Sequence, residues 1–140
     1  QMAGAAARNL LECMLLDDSI VPTNLPISLL ESITNDFSDD QKIGSGGFAN
    51  VYKGILQNGT IAVKKLFNGL DMEEIKFIKE VSCLTRAKHK NIVRFLGYCA
   101  DAHGKILNHE AKMVIAEERH RLLCFEFLPE GSLDKYITGA

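Results

Sequence analysis

The stretch Ile43-Gly44-Ser45-Gly46-Gly47-Phe48-Ala49-Asn50-Val51-Tyr52-Lys53-Gly54 constrains this chain more than any other. Gly44, Gly46 and Gly47 leave a backbone free to take φ > 0 and to pass close to a bulky partner. Val51, Tyr52 and Ile55 are β-branched or aromatic, so the chain leaves the glycines as a strand. A dinucleotide-binding or Walker-type loop would open a helix here, with phosphate at the helix N-terminus. That reading ranks low. The glycines are expected at the bend of a β-hairpin.

A second hairpin follows. Val51–Leu56 and Thr60–Leu66 read as strands separated by Gln57-Asn58-Gly59, and Asn-Gly is a strong turn signal. Alternation places Ile61, Val63 and Lys65 on one face, and Ala62, Lys64 and Leu66 on the other. A small residue beside a lysine leaves room for a flat ring and supplies a charge for phosphates. Asp71 and Glu74 then form a capping arrangement for a helix predicted to run to about Arg86–Lys88. Acidic residues suit that end of the helix dipole. Phe77, Glu80 and Leu84 share one face, which puts Glu80 on or beside the apolar stripe.

Asn91–Cys99 and Arg121–Leu128 read as two more strands, the second apolar except for Glu126 and therefore central. The polar residues 100–119 between them lack clean periodicity and are expected to form a mobile surface insertion. Pro129-Glu130-Gly131 marks a turn, and Ser132 caps a short helix over Leu133–Ile137. Before the glycines, residues 3–16 pair Leu10 with Met14 and Leu11 with Leu15 at i, i+4, a short amphipathic helix. A second helix is predicted from near Pro26, with Leu30, Ile33 and Phe37 at helical spacing, ending around Asn35–Ser38. This flank is expected to be a packing arm against a domain that starts near Asp40.

Composition closes off several classes of function. A net charge of −2 gives no basic field for nucleic acid or an anionic membrane. No apolar run approaches the ~20 residues of a membrane span, so no span is expected in this chain. Cys13, Cys83, Cys99 and Cys124 are widely spaced without a C-x-x-C pair. They are expected to be buried, reduced thiols rather than metal ligands or disulfides, which suits a cytoplasmic compartment. His89, His103, His109 and His120 lack metal-ligand spacing and read as loop and surface residues; no metal site is expected.

Taken together, several ordered motifs resemble the N-terminal lobe of a protein kinase, most closely that of plant receptor-like serine/threonine kinases. They are the glycine stretch Gly44 to Gly54, then Ile61-Ala62-Val63-Lys64 and Phe77-Ile78-Lys79-Glu80-Val81. His89-Lys90-Asn91-Ile92-Val93-Arg94 and Leu122 through Leu133 complete the series. The resemblance covers about residues 40–137, and Leu29–Ser38 also looks like the segment preceding the kinase domain in that family.

The resemblance implies an α+β fold: a five-stranded antiparallel sheet with one principal helix and flanking N-terminal helices. One face of the sheet would lie under the helix, and the other would roof a nucleotide cleft. Residues 1–39 would be the helical flank, 40–128 the ATP-binding lobe, and 129–140 the exit toward the next helix. The loop Gly44–Val51 would fold over the phosphates of ATP, with Ile43, Gly44, Ser45, Gly46, Gly47, Phe48 and Val51 among the nucleotide-binding residues. Lys64 would pair the α/β-phosphates and Glu80, the two catalytic assignments. Val51 and Ala62 would line the adenine slot, with Phe125 as gatekeeper. The Glu126 carbonyl and Leu128 N–H would bond adenine, and Asp134 would reach toward the ribose.

Two departures qualify the resemblance. Ala49 stands where the third glycine of G-x-G-x-x-G would be, which would hold the loop slightly farther from the phosphates. Mg²⁺ and the substrate hydroxyl need the D-F-G aspartate, the catalytic-loop asparagine and the H-R-D aspartate, and these 140 residues contain none of them. His120-Arg121-Leu122 and Asp36-Phe37-Ser38 are chance matches. The complete form would transfer the γ-phosphate to protein substrates, tethered or not at the plasma membrane, while this chain alone is expected to be inactive. The alternative is a non-catalytic kinase-like module that binds a partner protein, such as a partner kinase, or weakly binds nucleotide.

Overall fold

The computed structural model describes residues 4–67, 74–86 and 93–128. Helix α1 (Gly4–Leu16) is followed by a two-residue strand β1 (Thr23–Asn24) and helix α2 (Ile27–Ile33). Strands β2 (Lys42–Ser45), β3 (Ala49–Leu56) and β4 (Gly59–Leu66) come next, then helix α3 (Glu74–Arg86) and strands β5 (Phe95–His109) and β6 (Lys112–Glu126). Among the described residues, one sheet holds six strands in the order β1-β5-β6-β4-β3-β2. Five are antiparallel neighbours, as the sequence predicts. The sixth, β1, comes from the flank and pairs parallel to β5.

Alternation along β4 sorts its side chains as expected. Ile61 and Val63 enter one core with α1, α2 and Leu25. Ala62 and Leu66 enter the other with Phe77 of α3, Val51 and Phe125. This corrects the expected layering. Helix α3 and the presumed cleft residues share one face, while the flank covers the opposite one. The reason is that β4 is apolar on both sides, so both need a cover.

Three polar fasteners hold the flank down. The Arg94 guanidinium donates to the carbonyls of Met14, in the last turn of α1, and Asp17, just beyond it. At the other side of the sheet, the Glu12 carboxylate accepts from the Gln57 N–H at 3.1 Å, and Asn58 Nδ2 donates to the Glu12 carbonyl at 2.9 Å. Gln41 Nε2 donates to the carbonyls of Ile33 and Lys53 at 3.1 and 2.7 Å. The flank thus spans the sheet from the β3–β4 turn to β5.

Helix α2 ends in an unusual run, with Asn35, Asp36 and Phe37 at φ of 52°, 58° and 53°. Asn and Asp tolerate this left-handed region, but a phenylalanine there costs about 1–2 kcal/mol. The Phe37 ring recovers part of it. It meets Tyr52 edge-on at 5.3 Å, and Lys65 Nζ stands 4.3 Å from its centroid. Both contacts lie on the flank side of the sheet.

Two turns differ from expectation. The β3–β4 loop is Gln57-Asn58, with Gly59 already paired to Leu56 in the ladder. A Cβ on Gly59 would lie 3.0 Å from Leu15 Cδ1, so this strand residue packs closely under α1. Residues 100–119 are not an irregular insertion. They form the outer half of the β5–β6 hairpin, paired from Ala100↔Arg121 to His109↔Lys112. Glu110 and Ala111 turn it with φ of 50° and 64°, a geometry normally signalled by Asn-Gly. Pairing of β6 with β4 stops at Leu122, so the tip projects beyond the sheet with Ile106, Met113 and Ile115 exposed.

Gly97 marks the tightest crossing, because an added Cβ would lie 2.5 Å from the Thr23 carbonyl oxygen. Gly97→Ala is expected to destabilise the fold by about 1–3 kcal/mol, read from the urea midpoint. An unchanged midpoint would mean that β1 is not seated there. The cysteines divide in two: Cys99 and Cys124 are buried, but Cys13 and Cys83 are exposed, which corrects half of the expectation. Burial, then the charges of Asp101 and Glu31, pushes the Cys99 thiol up to about 12. Cys124 is raised by burial as well. A thiol reagent should therefore titrate Cys13 and Cys83 rapidly in the native chain, and Cys99 and Cys124 only after denaturation.

Candidate functional site

The glycine stretch forms the bend between β2 and β3, with no helix following it. Ser45 pairs with Asn50 and Gly44 with Val51, and a bulge at Ile43 re-aims the strand. The Gly46 N–H donates to the Ala49 carbonyl, closing the bend, while the Phe67 N–H donates to the Phe48 carbonyl and ties it to the end of β4. The Phe48 ring is 69% exposed at the tip. A Cβ built on Gly47 meets no heavy atom within 4 Å, so packing within the chain does not demand a glycine there. Ala49 is buried and extended in β3, paired with Leu66. Its methyl costs this backbone nothing, so the departure from the glycine pattern is accommodated inside the core.

Beneath the bend, the sheet register assembles one face. Val51 lies opposite Lys64, and Lys64 opposite Leu123. Ala62 lies opposite Phe125, and Phe125 opposite Phe95. Directly paired residues share a side. Val51, Ala62, Lys64 and Phe125 therefore line a single surface, with Ile43 and Leu128 packed at its borders.

Lys64 is 6% exposed, an uncommon state for an ammonium. Burial lowers its pKa, and the charge of Glu80 pulls it partly back. Glu80, half-buried on α3, shows the mirror image: burial raises its carboxyl and the charge of Lys64 opposes that. Each group lies close enough to feel the other. Phe77, Val81 and Leu84 of the same helix pack into this face and hold Glu80 toward the sheet. Sequence spacing groups Phe77 and Leu84 with Glu80, and Val81 shares the contact.

At the far end, β6 leaves the sheet. The Glu126 N–H donates to the Arg94 carbonyl at 2.9 Å, and the Glu126 side chain accepts from the Arg94 N–H at 3.1 Å. The backbone after Glu126 is thereby released from β4 pairing, whose last partner is Ile61. Asp134, and the predicted turn and helix around it, lie outside the described residues. So does the Asp71 cap. Reading the sequence missed Lys53, which shares the face by its i+2 spacing from Val51, and Phe127, whose ring lies 5.4 Å from Lys53 Nζ. Among the described residues, no group of three His, Cys, Asp or Glu is arranged to hold a metal ion.

Protonation of Glu80 gives a sign that can be tested. Its folded pKa lies above the ordinary 4.5, so the native state holds more protons than the unfolded chain in that window. Its contribution to stability is present below 4.5 and lost as pH rises through the folded value. The melting temperature of Glu80→Gln relative to the wild type should rise as pH goes from 5 to 7. A relative melting temperature of Glu80→Gln that instead rises on acidification would contradict the burial argument.

Residues 37–140 match the protein kinase domain. The chain is 41% identical over 110 residues to the cysteine-rich receptor-like protein kinase 38 of Arabidopsis thaliana, covering 78% of the chain and 14% of that protein. It is 40% identical over 128 residues to an Arabidopsis thaliana G-type lectin S-receptor-like serine/threonine-protein kinase, covering 88% of the chain and 13% of the relative. The chain thus spans about a seventh of the length of these two relatives. With a glycine-bent hairpin over a buried lysine that faces a helix glutamate, and a match over residues 37–140, the chain belongs to the protein kinase family, and it resembles the N-terminal lobe of receptor-like serine/threonine kinases.

Proposed function

We propose that residues 40–128 are the ATP-binding lobe of a serine/threonine protein kinase, with 1–39 as its helical flank and 129–140 as its exit toward the next helix. One observation carries this reading: Lys64 is buried on the face that holds Val51 and Ala62, within reach of the Glu80 charge. An ammonium withdrawn from water is costly unless an anion meets it. The half-buried Glu80 carboxylate eases that cost, and phosphates would bring further negative charge to the same ammonium.

The residues present fit a nucleotide. Ala62 is small where a flat ring would lie, and the space around Gly47 is open. Lys64 would donate to the α/β-phosphates while Glu80 holds its ammonium in place. Ile43 through Phe48 would cover the phosphates, with backbone N–H groups turned toward them. Val51 and Ala62 would enclose adenine, Phe125 would limit its depth, and the Glu126 carbonyl and Leu128 N–H would fix its edge. Asp134 would approach the ribose. ATP supplies the transferable γ-phosphoryl group. Mg²⁺ belongs to the complete kinase, whose metal ligands and base are not among these residues. Protein hydroxyls are the proposed substrate and the cytoplasm the proposed compartment, with the parent a candidate for membrane tethering. No helix among the described residues is long and apolar enough to cross a membrane.

A second reading is a non-catalytic module that binds a partner protein. The exposed Ile106, Met113 and Ile115 on the projecting hairpin favour it. Titration with Mg²⁺-ATP separates the two. Lys64→Met should weaken binding about tenfold or more, the worth of a lost charge-assisted bond. Phosphate incorporation into a generic protein substrate should not exceed that of the Lys64→Met control. Binding indifferent to Lys64 would remove the nucleotide reading; transfer that depends on Lys64 would remove the claim that this chain alone is inactive.

A further inference from the structure

We propose that Lys53 is a positioning residue, clasping the segment that leaves β6 through the ring of Phe127 and so setting how firmly adenine is gripped. The second half of this statement rests on the nucleotide-binding reading; the clasp itself does not.

The register places Lys53 opposite Ala62, which is opposite Phe125, so the three form one row across β3, β4 and β6. Lys53 Nζ stands 5.4 Å from the Phe127 centroid, within the range of a cation–π contact. The base of the lysine is fixed from the opposite side of the sheet. Its carbonyl accepts from Gln41 Nε2 at 2.7 Å, and the same amide holds the Ile33 carbonyl of α2. The backbone of Lys53 is therefore anchored to the flank while its ammonium reaches the exit segment.

Strand pairing to β4 ends at Glu126, so Phe127 lies just beyond the ladder, where a side-chain contact adds to what holds the segment. Leu128, one residue on, packs into the same face as Val51 and Ala62. The clasp thus stands beside the backbone groups proposed to bond adenine, at the open side of the slot. A lysine so placed could instead act by pairing with phosphates. The two roles differ in one observable: a positioning residue affects adenosine and ATP alike, whereas a phosphate partner affects ATP alone.

The test uses the full chain with Lys53→Met, which keeps the stem and removes the charge, Lys53→Arg, which keeps a cation over the ring, and Phe127→Leu. In the ligand-free chain, hydrogen exchange at the Leu128 amide should quicken several-fold in Lys53→Met and Phe127→Leu and stay near wild type in Lys53→Arg. Adenosine and Mg²⁺-ATP should both bind about threefold more weakly to Lys53→Met, by the same factor. Unchanged exchange at residues 127–128 would overturn the clasp. Loss confined to ATP would reassign Lys53 to phosphate pairing. If the wild type binds neither adenosine nor ATP, the failure belongs to the nucleotide reading, and the exchange arm still decides the clasp.

Discussion

The structure depends on β4 being buried on both sides. Ile61, Ala62 and Val63 are fully covered, and the next residue is a lysine. A central strand cannot choose which neighbour its ammonium meets; the period of two decides. Lys64 falls on the side of Ala62, so the helix carrying Glu80 has to cover that side. Everything else about the layering follows, because the opposite surface, carrying Ile61, Val63, Leu122 and Cys124, is then left for another cover.

That second cover is the N-terminal flank. Ala7, Leu11 and Met14 of α1 and Leu29, Leu30 and Ile33 of α2 meet the sheet at nearly zero exposure. Burying a leucine or methionine of this kind contributes about 1.5–3 kcal/mol, far more than the few hydrogen bonds that orient the helices. Those bonds have a different task. Arg94, Glu12 and Gln41 set where the helices sit, by satisfying groups at a helix end, a turn and a strand. A domain boundary drawn at residue 40 marks where the kinase motifs begin, but it cuts through a single hydrophobic core.

The same asymmetry explains the chemistry of the site. Lys64 and Glu80 each resist ionisation because both are withdrawn from water, and each eases the other only in part. Such a pair adds little to stability, but it keeps a cation poised where an anion would be welcome. Its position is over-determined: the β4 register fixes the lysine, and Phe77, Val81 and Leu84 fix the helix that bears the carboxylate.

Much of this was legible in the residues. The hairpin at the glycines, the two faces of β4 and the inward side of α3 rest on local residue type and periodicity, which are properties of the chain itself, whereas the grouping of Val51 with Ala62 and Lys64 needs the β3–β4 register. The long hairpin over 100–119 was not legible, because Glu110-Ala111 carries no turn signature and the strands around it mix polar with apolar residues. Nor was the turn at Gln57-Asn58, which contacts Glu12 of α1, a residue 45 positions away. The pairing of β1, the clasp of Lys53 on Phe127, and the face each helix covers were decided by tertiary structure alone. Periodicity tells a side chain which way to point, but only contacts between residues distant in sequence determine what it meets there.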